Sequence, residues 1–565
     1  MATITEQIYS NEYKDYILPY SDSRVSETYK DYGVQLLDSH YMLLHDRGDN
    51  PLFPIQSTTG LYNEYPYIPK LFVPLSTVSL EKSGILQVQT QPNLKLTGKN
   101  TLIGFIDTGI DYTHPAFFNT NGETKILSIW DQTIQTDSSN SPFQYGKVYT
   151  KREIDLALRS TAPKEIVPST DETGHGTALA GIAAGSADMA MNFTGAAPDA
   201  SICMVKLKRA KPYLYDYYFA NSNQVCYQEN DIMTGIRFLI SQAAIYQMPL
   251  IICIGLGTNQ GDHAGNSALS QMISYLSYST YTVFSIACGN EGNQGHHTFQ
   301  TITDSYQETE WIVPENCPGY VAELWGSANA LLSIGFQSPL GTQIAPVAVR
   351  PGQTSLIPFV LEQTRIELSY SLVTESGGNQ LVAIRMTAPT PGNWIIRVYH
   401  RNANQASYHM WLPITGLLKE SVTFFDPDPF TTLTIPSDSQ NGISTTFYNG
   451  YDQSFAISSG RGYTRTGGIK PNLASPGINL TAPITGSSQY QPFSGSSAAS
   501  ALLAGSMALL QQWRMDMRIS GIFDSALIGG YLSRGATRNE QEIYPNPLWG
   551  YGKLNIYDIF TSLTE

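Results

Sequence analysis

The sequence predicts an α/β protein in which a parallel sheet is flanked by helices and an all-β domain is inserted. Apolar strands alternate with helices from about residue 85 to residue 290, and the same pattern returns after about residue 440. Between about 298 and 435 the segments are strand-like and are separated by turns such as TPG and SGG. With 565 residues, the chain is long enough for several such units.

The alternating elements follow one another in chain order. KNTLIGFIDTG is a strand followed by a turn, and TGHGTALAGIAAG is a turn that opens a helix of small residues. Further strands are ASICMVKL, MPLIICIGLG and YTVFSIACGN, whereas NDIMTGIRFLISQAAIYQ and NSALSQMISYLSYST are helices. Because open parallel sheets bind ligands at the carboxyl ends of their strands, we expect catalytic groups just after these strands.

Changes in composition divide the chain into four predicted segments. Residues 1–80 are rich in Tyr, Asp and Leu and form an N-terminal unit, and residues 81–297 form the first part of the α/β domain. Residues 298–434 form the inserted β-sandwich, with SLIPFVLEQTRIELSYSLV and NWIIRVYHR among its strands. Residues 435–565 complete the α/β domain.

Charge and cysteine content argue against several function classes. The net charge of −14, from 33 basic and 47 acidic residues, disfavours nucleic acid and anionic membranes as partners. Five cysteines without a CxxC pair argue against a disulfide scaffold or structural zinc, so we expect five free, mostly buried thiols. The N-terminus MATITEQIYSNEYKDY lacks the pattern of a secretion signal, and no apolar run has the length of a membrane-spanning helix. We therefore expect a soluble protein.

The first candidate catalytic residue is Asp107, at the end of the apolar strand in LIGFIDTGID. A carboxylate buried there needs hydrogen-bonding partners. Asp-Thr-Gly also occurs in the active loops of aspartic proteases, but those enzymes use two carboxylates that share a proton. Since no second Asp-Thr-Gly or Asp-Ser-Gly occurs in the chain, that alternative is rejected. A purely structural aspartate at the end of a strand remains open from this segment alone.

Three further candidates lie in glycine-containing turns. His175 lies between two glycines at the start of a helix, and no second ligand at helical spacing supports a zinc site there. Asn290, in SIACGNEGN, can direct an amide into a cleft to stabilise an oxyanion, or simply occupy a turn. Ser497, in FSGSSAASALLAG, begins a helix whose positive end favours developing negative charge, although serine there is usually a cap.

Together, and in this order, these motifs resemble the subtilisin (S8) family of serine proteases. LIGFIDTGID is similar to the family's aspartate motif, GHGTALAGIAAG to its histidine motif and GSSAAS to its nucleophile motif. The IGLG segment at 254–257 resembles the substrate-binding strand, and ACGNEG at 287–292 resembles the oxyanion loop. SSGRGYTRTGGIKPNLASPG and WGYGKLN also match, so the resemblance covers about 85–297 and 435–565.

The resemblance implies a role for each matching residue. Ser497 would be the nucleophile, His175 the general base and acid, and Asp107 the group that orients the imidazole, with Asn290 and the Ser497 N–H as the oxyanion hole. The implied substrate-binding residues are Gly255, Leu256 and Gly257 on the strand, and Ala287, Cys288 and Gly289 in the wall of the first specificity pocket. Calcium is common among subtilases, but the sequence contains no convincing ligand cluster, so no metal or other cofactor is expected.

Three features depart from the pattern of small subtilisins. Ser496 replaces the usual Thr and keeps a hydroxyl, and Ala501 replaces the usual Pro without removing a catalytic group. Neither change is expected to abolish activity. The spacing between Asp107 and His175 is longer than usual, which implies a surface insertion in about 115–165.

The chain resembles the clostridial Csp proteases of bacterial spores in three features: the insert, Ala501 and the absence of a signal sequence. That resemblance implies that residues 1–80 are a prodomain, which guides folding, is removed by self-cleavage and stays bound across the active site. It implies further that KLFVPLSTVS lies in the cleft, that the insert is a jelly roll, and that a spore-cortex hydrolase zymogen is the protein partner. The alternatives are a gut-bacterial peptidase with other protein substrates, and a non-catalytic regulator blocked by its prodomain.

Overall fold

The structure of the chain is a computed structural model. It describes residues 3–20, 29, 32–47, 61–62, 65–74, 83–91, 94–135, 143–278, 281–327, 329–350, 353–374, 377–401, 406–519 and 524–562. Within this part of the chain, every helix is too short or too polar to cross a lipid bilayer. All five cysteines are free and buried, as the sequence predicts.

The N-terminal region contains both helices and strands. In chain order its elements are α1 (Ile4–Tyr9), β1 (Lys14–Pro19), β2 (Gly33–Leu36), β3 (Tyr41–Asp46), β4 (Leu61–Tyr62), a 3-10 turn (Tyr65–Tyr67), β5 (Leu71–Pro74) and α2 (Ile85–Thr90). Strands β1, β3 and β2 form an antiparallel sheet in that order, and the central strand β3 is buried along its whole length. Thr3 and Glu6 form a capping box that begins α1.

The α/β core begins after this region. Its elements before the insert are β6 (Leu102–Asp107), a 3-10 turn (Pro115–Phe117), β7 (Ile126–Asp131), β8 (Lys147–Thr150), α3 (Lys151–Leu158), α4 (Pro163–Ile166), α5 (His175–Ala184), β9 (Ser201–Lys206), α6 (Pro212–Tyr218), β10 (Tyr227–Gln228), α7 (Glu229–Tyr246), β11 (Leu250–Ile254), β12 (Leu256–Gly257), α8 (Ala268–Leu276) and β13 (Thr282–Ala287).

The insert consists of β-strands that belong to two antiparallel sheets. They are β14 (His297–Ile302), β15 (Tyr306–Val313), β16 (Gly319–Gly326), β17 (Leu331–Gln337), β18 (Gln343–Ile344), β19 (Gln353–Pro358), β20 (Arg365–Ser371), β21 (Gln380–Thr387), β22 (Gly392–Arg401), β23 (Ala406–Trp411) and β24 (Thr423–Phe424). The sheet orders are β14–β23–β16–β21–β20–β19–β4 and β18–β17–β22–β15–β24. Trp311 and Trp394 of the smaller sheet share one apolar core with Tyr320 and Ile384 of the larger.

The N-terminal region contributes one strand to the insert. Strand β4 pairs antiparallel with β19 and forms an edge of the seven-stranded sheet. Backbone pairing therefore links the first segment of the chain to the inserted sheets, as well as to the core.

The core resumes after the insert. Its last elements are β25 (Ile443–Tyr448), β26 (Leu473–Pro476), β27 (Leu480–Pro483), β28 (Tyr490–Phe493), α9 (Ser496–Asp516), α10 (Ser525–Gly535) and α11 (Ile556–Thr561). The main sheet has eight strands in the order β26–β25–β13–β11–β6–β9–β7–β8. All neighbours are parallel except β7 and β8. This architecture confirms the predicted α/β fold, in which a parallel sheet is flanked by helices and accompanied by additional β-sheets.

Both faces of the main sheet are covered, which explains why its central strands β6 and β11 are mostly apolar. Ile103 and Phe105 of β6 face the cluster that contains α5 and α9. Leu102 and Ile106 face the opposite cluster, which contains α7 and α8. Helices α5 and α9 therefore pack on the same face of the sheet.

The segment 115–165, in which a surface insertion is expected, also contains part of the main sheet. Strand β7, with the sequence ILSIWD, is buried at all six positions and pairs with β9 inside the main sheet. Only then does the chain turn back as the antiparallel edge strand β8. The segment between Asp107 and His175 therefore contains buried sheet as well as surface.

Candidate active site

Asp107, His175 and Ser497 meet at the carboxyl edge of the main sheet. Nδ1 of His175 lies 2.7 Å from Oδ1 of Asp107, and Nε2 of His175 lies 3.2 Å from Oγ of Ser497. Asp107 is the last residue of β6, His175 is the first residue of α5, and Ser497 is the second residue of α9. All three side chains are buried. The three residues proposed from separate motifs therefore form one hydrogen-bonded chain.

The neighbouring serines have different contacts. The Ser496 hydroxyl accepts a hydrogen bond from the Gly289 N–H at 3.1 Å, which ties two loops together. The Ser500 hydroxyl donates to the carbonyl oxygen of Ser497 at 2.7 Å, inside helix α9. Among these serines, Ser497 is the one whose hydroxyl lies beside the imidazole of His175.

A second buried carboxylate, Asp171, joins the aspartate loop to the histidine helix. It accepts hydrogen bonds from the Thr108 hydroxyl at 2.7 Å, from the Gly174 N–H at 2.9 Å and from the Thr177 N–H at 2.8 Å. Thr108 in turn donates its N–H to Oδ1 of Asp107 at 2.8 Å. Asp171 was not among the residues predicted from the sequence, although it stands in the same DETGHGT segment as the histidine.

Two glycines allow these groups to approach one another. A Cβ atom on Gly176 would lie 2.2 Å from the carbonyl oxygen of Gly109, so a side chain there would separate the histidine helix from the aspartate loop. A Cβ atom on Gly255 would lie 3.1 Å from Cβ of Ser497 and 3.3 Å from Cε1 of His175. Gly255 also accepts the Ser497 hydroxyl on its carbonyl oxygen at 3.2 Å. The strand end therefore lies directly against the serine and the imidazole.

Asn290 lies next to the start of helix α9. Its Oδ1 accepts a hydrogen bond from the Ser496 N–H at 3.1 Å. With its oxygen used in this contact, the side chain offers its Nδ2 group as a donor, beside the backbone that carries Ser497. Such a donor, together with an N–H at a helix start, can stabilise an oxygen anion.

The N-terminal region occupies the groove beside these residues. Strand β5 pairs antiparallel with β12, with Val73 opposite Gly257 and Pro74 opposite Leu256. On its other side β5 pairs antiparallel with β10, with Phe72 opposite Tyr227. An extended segment is thus held between two strands of the core. Of the predicted cleft segment KLFVPLSTVS, residues 75–79 lie outside the described residues.

The model of the subtilase family matches residues 98–552. The chain belongs to the subtilase family. Among solved structures, the CspB protease of Clostridium perfringens is similar with a TM-score of 0.76 and 30% sequence identity, covering 86% of this chain and 97% of that one. Fervidolysin from Fervidobacterium pennivorans has a TM-score of 0.48 and 13% identity, covering 98% and 61%. A search of curated proteins gave no match. The protein is a subtilisin-like serine endopeptidase.

In this subtilase, the residues predicted for the wall of the first specificity pocket form one continuous segment. Ala287 ends β13, and Cys288 and Gly289 follow it toward Asn290. The segment that returns from the insert contacts both this pocket segment and the chain just after the substrate-binding strand β12. The Thr434 N–H donates to the carbonyl oxygen of Cys288 at 3.1 Å, and Ile435 forms an antiparallel bridge with Thr258. No sequence motif marks Thr434 and Ile435. They reach Cys288 and Thr258 only because the inserted strands fold back onto the core.

Burial determines the protonation of the nearby thiols. It raises the pKa of Cys253 and of Cys288 to about 12, so both remain neutral near pH 7 and are poor nucleophiles. Burial also raises the pKa of Tyr227, and the charges of Asp107 and Asp171 raise it further. Within the described residues, no group of three or more His, Cys, Asp or Glu side chains is arranged to hold a metal ion.

Proposed function

We propose that this subtilase hydrolyses peptide bonds with Ser497 as nucleophile, His175 as general base and acid, and Asp107 as the group that orients His175. The observation that carries the proposal is the continuous contact from Asp107 through both ring nitrogens of His175 to the Ser497 hydroxyl. A serine hydroxyl needs such a base, because at neutral pH it is otherwise a weak nucleophile.

The chemical steps follow from these contacts. Nε2 of His175 takes the Ser497 proton as Oγ attacks the substrate carbonyl carbon, and Oδ1 of Asp107 stabilises the imidazolium that forms. Asn290 and the Ser497 N–H donate to the oxyanion of the tetrahedral intermediate. His175 then gives its proton to the leaving amine, and a water molecule repeats the sequence to release the acyl group.

We propose that substrates bind as an extended strand between β12 and β10. Gly255, Leu256 and Gly257 would pair with substrate backbone on one side, and Ala287, Cys288 and Gly289 would form the wall of the first pocket. Support comes from β5, whose backbone already makes antiparallel pairs of this kind with both strands. Main-chain pairing supplies affinity with little dependence on substrate sequence.

We propose further that the N-terminal region, with its boundary close to the expected residue 80, is a prodomain that the enzyme cuts from itself. Val73 pairs with Gly257 and Pro74 with Leu256, so β5 runs toward Gly255 and its last described residue lies opposite the neighbour of Gly255. The carbonyl oxygen of Gly255 is within 3.2 Å of the nucleophilic oxygen of Ser497. We therefore propose the bond between Leu75 and Ser76, which lies outside the described residues, as the cleavage site.

N-terminal sequencing of the purified full-length chain tests both proposals. The wild-type protein is expected to give a new N-terminus at Ser76, whereas Ser497→Ala stays as one chain. Ser494→Ala is a matched control, because it removes a hydroxyl from the same turn and should be cleaved like the wild type. Equal cleavage of Ser497→Ala would overturn the assignment of the nucleophile. A different new N-terminus in the wild type would overturn only the cleavage site.

For the physiological role, we propose activation of a spore-cortex hydrolase zymogen during germination. The likeness to a Csp protease over 86% of the chain supports this role. Incubation of the protein with such a zymogen should shorten the zymogen, and Ser497→Ala should not. If self-cleavage occurs but the zymogen stays intact, the germination role is wrong and the peptidase assignment stands.

A blocked regulator is the competing candidate, and β5 in the cleft is the observation that favours it. A fluorophosphonate probe distinguishes the two functions after the N-terminal segment has been displaced. Labelling of Ser497 supports the peptidase. Absence of labelling after verified displacement supports the regulator.

A further inference from the structure

The residue after Asn290 points away from the cleft and into the protein. Glu291 is 2% exposed, and its carboxylate accepts three hydrogen bonds. The donors are Nδ1 of His296 at 2.6 Å, Nδ2 of Asn259 at 3.0 Å and the Thr415 N–H at 3.3 Å. The loop that carries Asn290 is therefore anchored from behind by a buried carboxylate.

The three donors come from different parts of the chain. Asn259 follows the substrate-binding strand β12, and its Nδ2 also donates to the carbonyl oxygen of Leu412 at 3.2 Å. His296 immediately precedes the first strand of the insert. Thr415 follows β23, near the end of the insert. Glu291 thus connects the oxyanion loop to the substrate-binding strand and to both ends of the insert.

The front of the same loop is fixed to the nucleophile turn. Gly289 donates its N–H to the Ser496 hydroxyl, and Asn290 accepts the Ser496 N–H. Contacts on both sides leave the loop little freedom to move relative to Ser497. An oxyanion donor acts only if it is held at hydrogen-bond distance before charge develops, so this restraint bears directly on the rate.

The ionised form of Glu291 suits this role. Burial alone would raise its pKa, but the hydrogen bond and charge of His296, followed by the bonds from Thr415 and Asn259, hold the pKa below its usual range. An unpaired anion next to the oxyanion site would oppose the developing negative charge. Pairing with His296 reduces that repulsion while keeping the anchor.

We propose that Glu291 is a positioning residue, which holds the Asn290 amide in place for the oxyanion through His296, Asn259 and Thr415. This inference rests on the proposed function, in which Asn290 stabilises the tetrahedral intermediate. It adds a role for the insert, whose two ends supply donors to the anchor. Removing the anchor should slow the chemical step without displacing the substrate.

The test is the first-order rate of self-cleavage in the full-length chain, since a tethered substrate removes the binding step. Asn290→Ala is expected to slow this rate about 10²–10³-fold. Glu291→Gln, which keeps the length of the side chain but removes its charge, should slow it about 10-fold, in line with a small misplacement of the donor. In the Asn290→Ala background, Glu291→Gln should change the rate by less than about two-fold.

If Glu291 acts only through Asn290, the effects of the two substitutions on the rate should not add. A general structural role of Glu291 would slow both backgrounds equally. Glu367→Gln is the matched control, because it breaks an ion pair with Arg385 within the insert, away from the loop. It should leave the rate near that of the wild type. Once the N-terminal segment is displaced, Glu291→Gln should lower kcat for a peptide substrate and leave KM within about two-fold. Asn259→Ser, a milder loss of one donor, provides a second variant should Glu291→Gln fold poorly, with a smaller loss expected.

The outcomes are distinguishable. An unchanged rate in both Glu291→Gln and Asn259→Ser overturns the inference, and so does an equal loss in the wild-type and Asn290→Ala backgrounds. Absence of self-cleavage in the wild type, with no Ser497 labelling, would instead overturn the proposed function and this inference with it.

Discussion

Tyr65→Phe should weaken the hold of the protease on its N-terminal region. The Tyr65 hydroxyl donates to Oε1 of Glu323, a carboxylate of the insert. The other oxygen of Glu323 accepts the Gly261 N–H of the core at 2.9 Å and Nε1 of Trp325 at 2.7 Å. Tyr65 and Glu323 are each 2% exposed. One buried carboxylate therefore joins the N-terminal region, the core and the insert.

The magnitude follows from these contacts. Tyr65→Phe leaves Oε1 of Glu323 buried without its hydroxyl donor, while the bonds to Oε2 remain. A buried hydrogen bond to a charged group is worth about 1.5–3 kcal/mol. Because 1.4 kcal/mol corresponds to a tenfold change in affinity, the cleaved N-terminal fragment should bind about 10- to 100-fold more weakly.

The assay is peptide turnover by the self-cleaved protein over a dilution series. Activity appears as the inhibitory fragment dissociates, and the midpoint should move to about 10- to 100-fold higher protein concentration in Tyr65→Phe. Tyr20→Phe is the control, since its hydroxyl donates to the carbonyl oxygen of Asp38 within the N-terminal region at 2.7 Å. It should leave the midpoint near that of the wild type. A shift of less than about three-fold in Tyr65→Phe would refute the reasoning.

Three further predictions concern buried groups. Gly176→Ala should slow self-cleavage about 100-fold or more, because the new Cβ would lie 2.2 Å from the Gly109 carbonyl oxygen and push the histidine helix away from Asp107; processing at the wild-type rate would contradict this. Burial and the nearby charge of Asp262 raise the pKa of Asp438 to about 6. The folded state therefore holds a proton that the unfolded state loses, and this contribution disappears as pH rises through about 6. Relative to the wild type, the free energy of unfolding of Asp438→Asn should rise by up to about 3 kcal/mol between pH 4 and pH 7. Denaturant unfolding at both pH values measures this difference, and an equal difference between the two proteins at both pH values would count against it. Finally, the five buried thiols should not react with a thiol reagent in the native protein and should all react after denaturation; rapid labelling of the native protein would exclude this burial.

The catalytic candidates were predictable because each lies at a local boundary that the sequence marks. Asp107 ends an apolar strand, His175 stands between glycines at a helix start, and Ser497 begins a helix of small residues. Those patterns need no knowledge of distant parts of the chain. Asp171 was also within reach, since it stands four residues before His175 in a turn that must bind the N–H groups of the helix start.

Other features depend on contacts between segments that are far apart in the sequence. Thr434 reaches Cys288 only after the chain has passed through the insert, and Glu291 meets Thr415 in the same way. The position of strand β7, before His175, has a similar cause. The strand ILSIWD is apolar on both faces, and its place inside the sheet depends on β9, which comes later in the chain.

By itself, the sequence determined the α/β class, the inserted β-strands and the identity of the residues that end strands and begin helices. Short-range periodicity and glycine placement encode these features, because each depends on neighbours within a few residues. Only the tertiary structure decided that β5 lies between β10 and β12, that Glu323 joins three regions, and that Glu291 anchors the oxyanion loop. Those contacts arise from packing between distant segments, where a buried polar group must find its partner in space rather than along the chain.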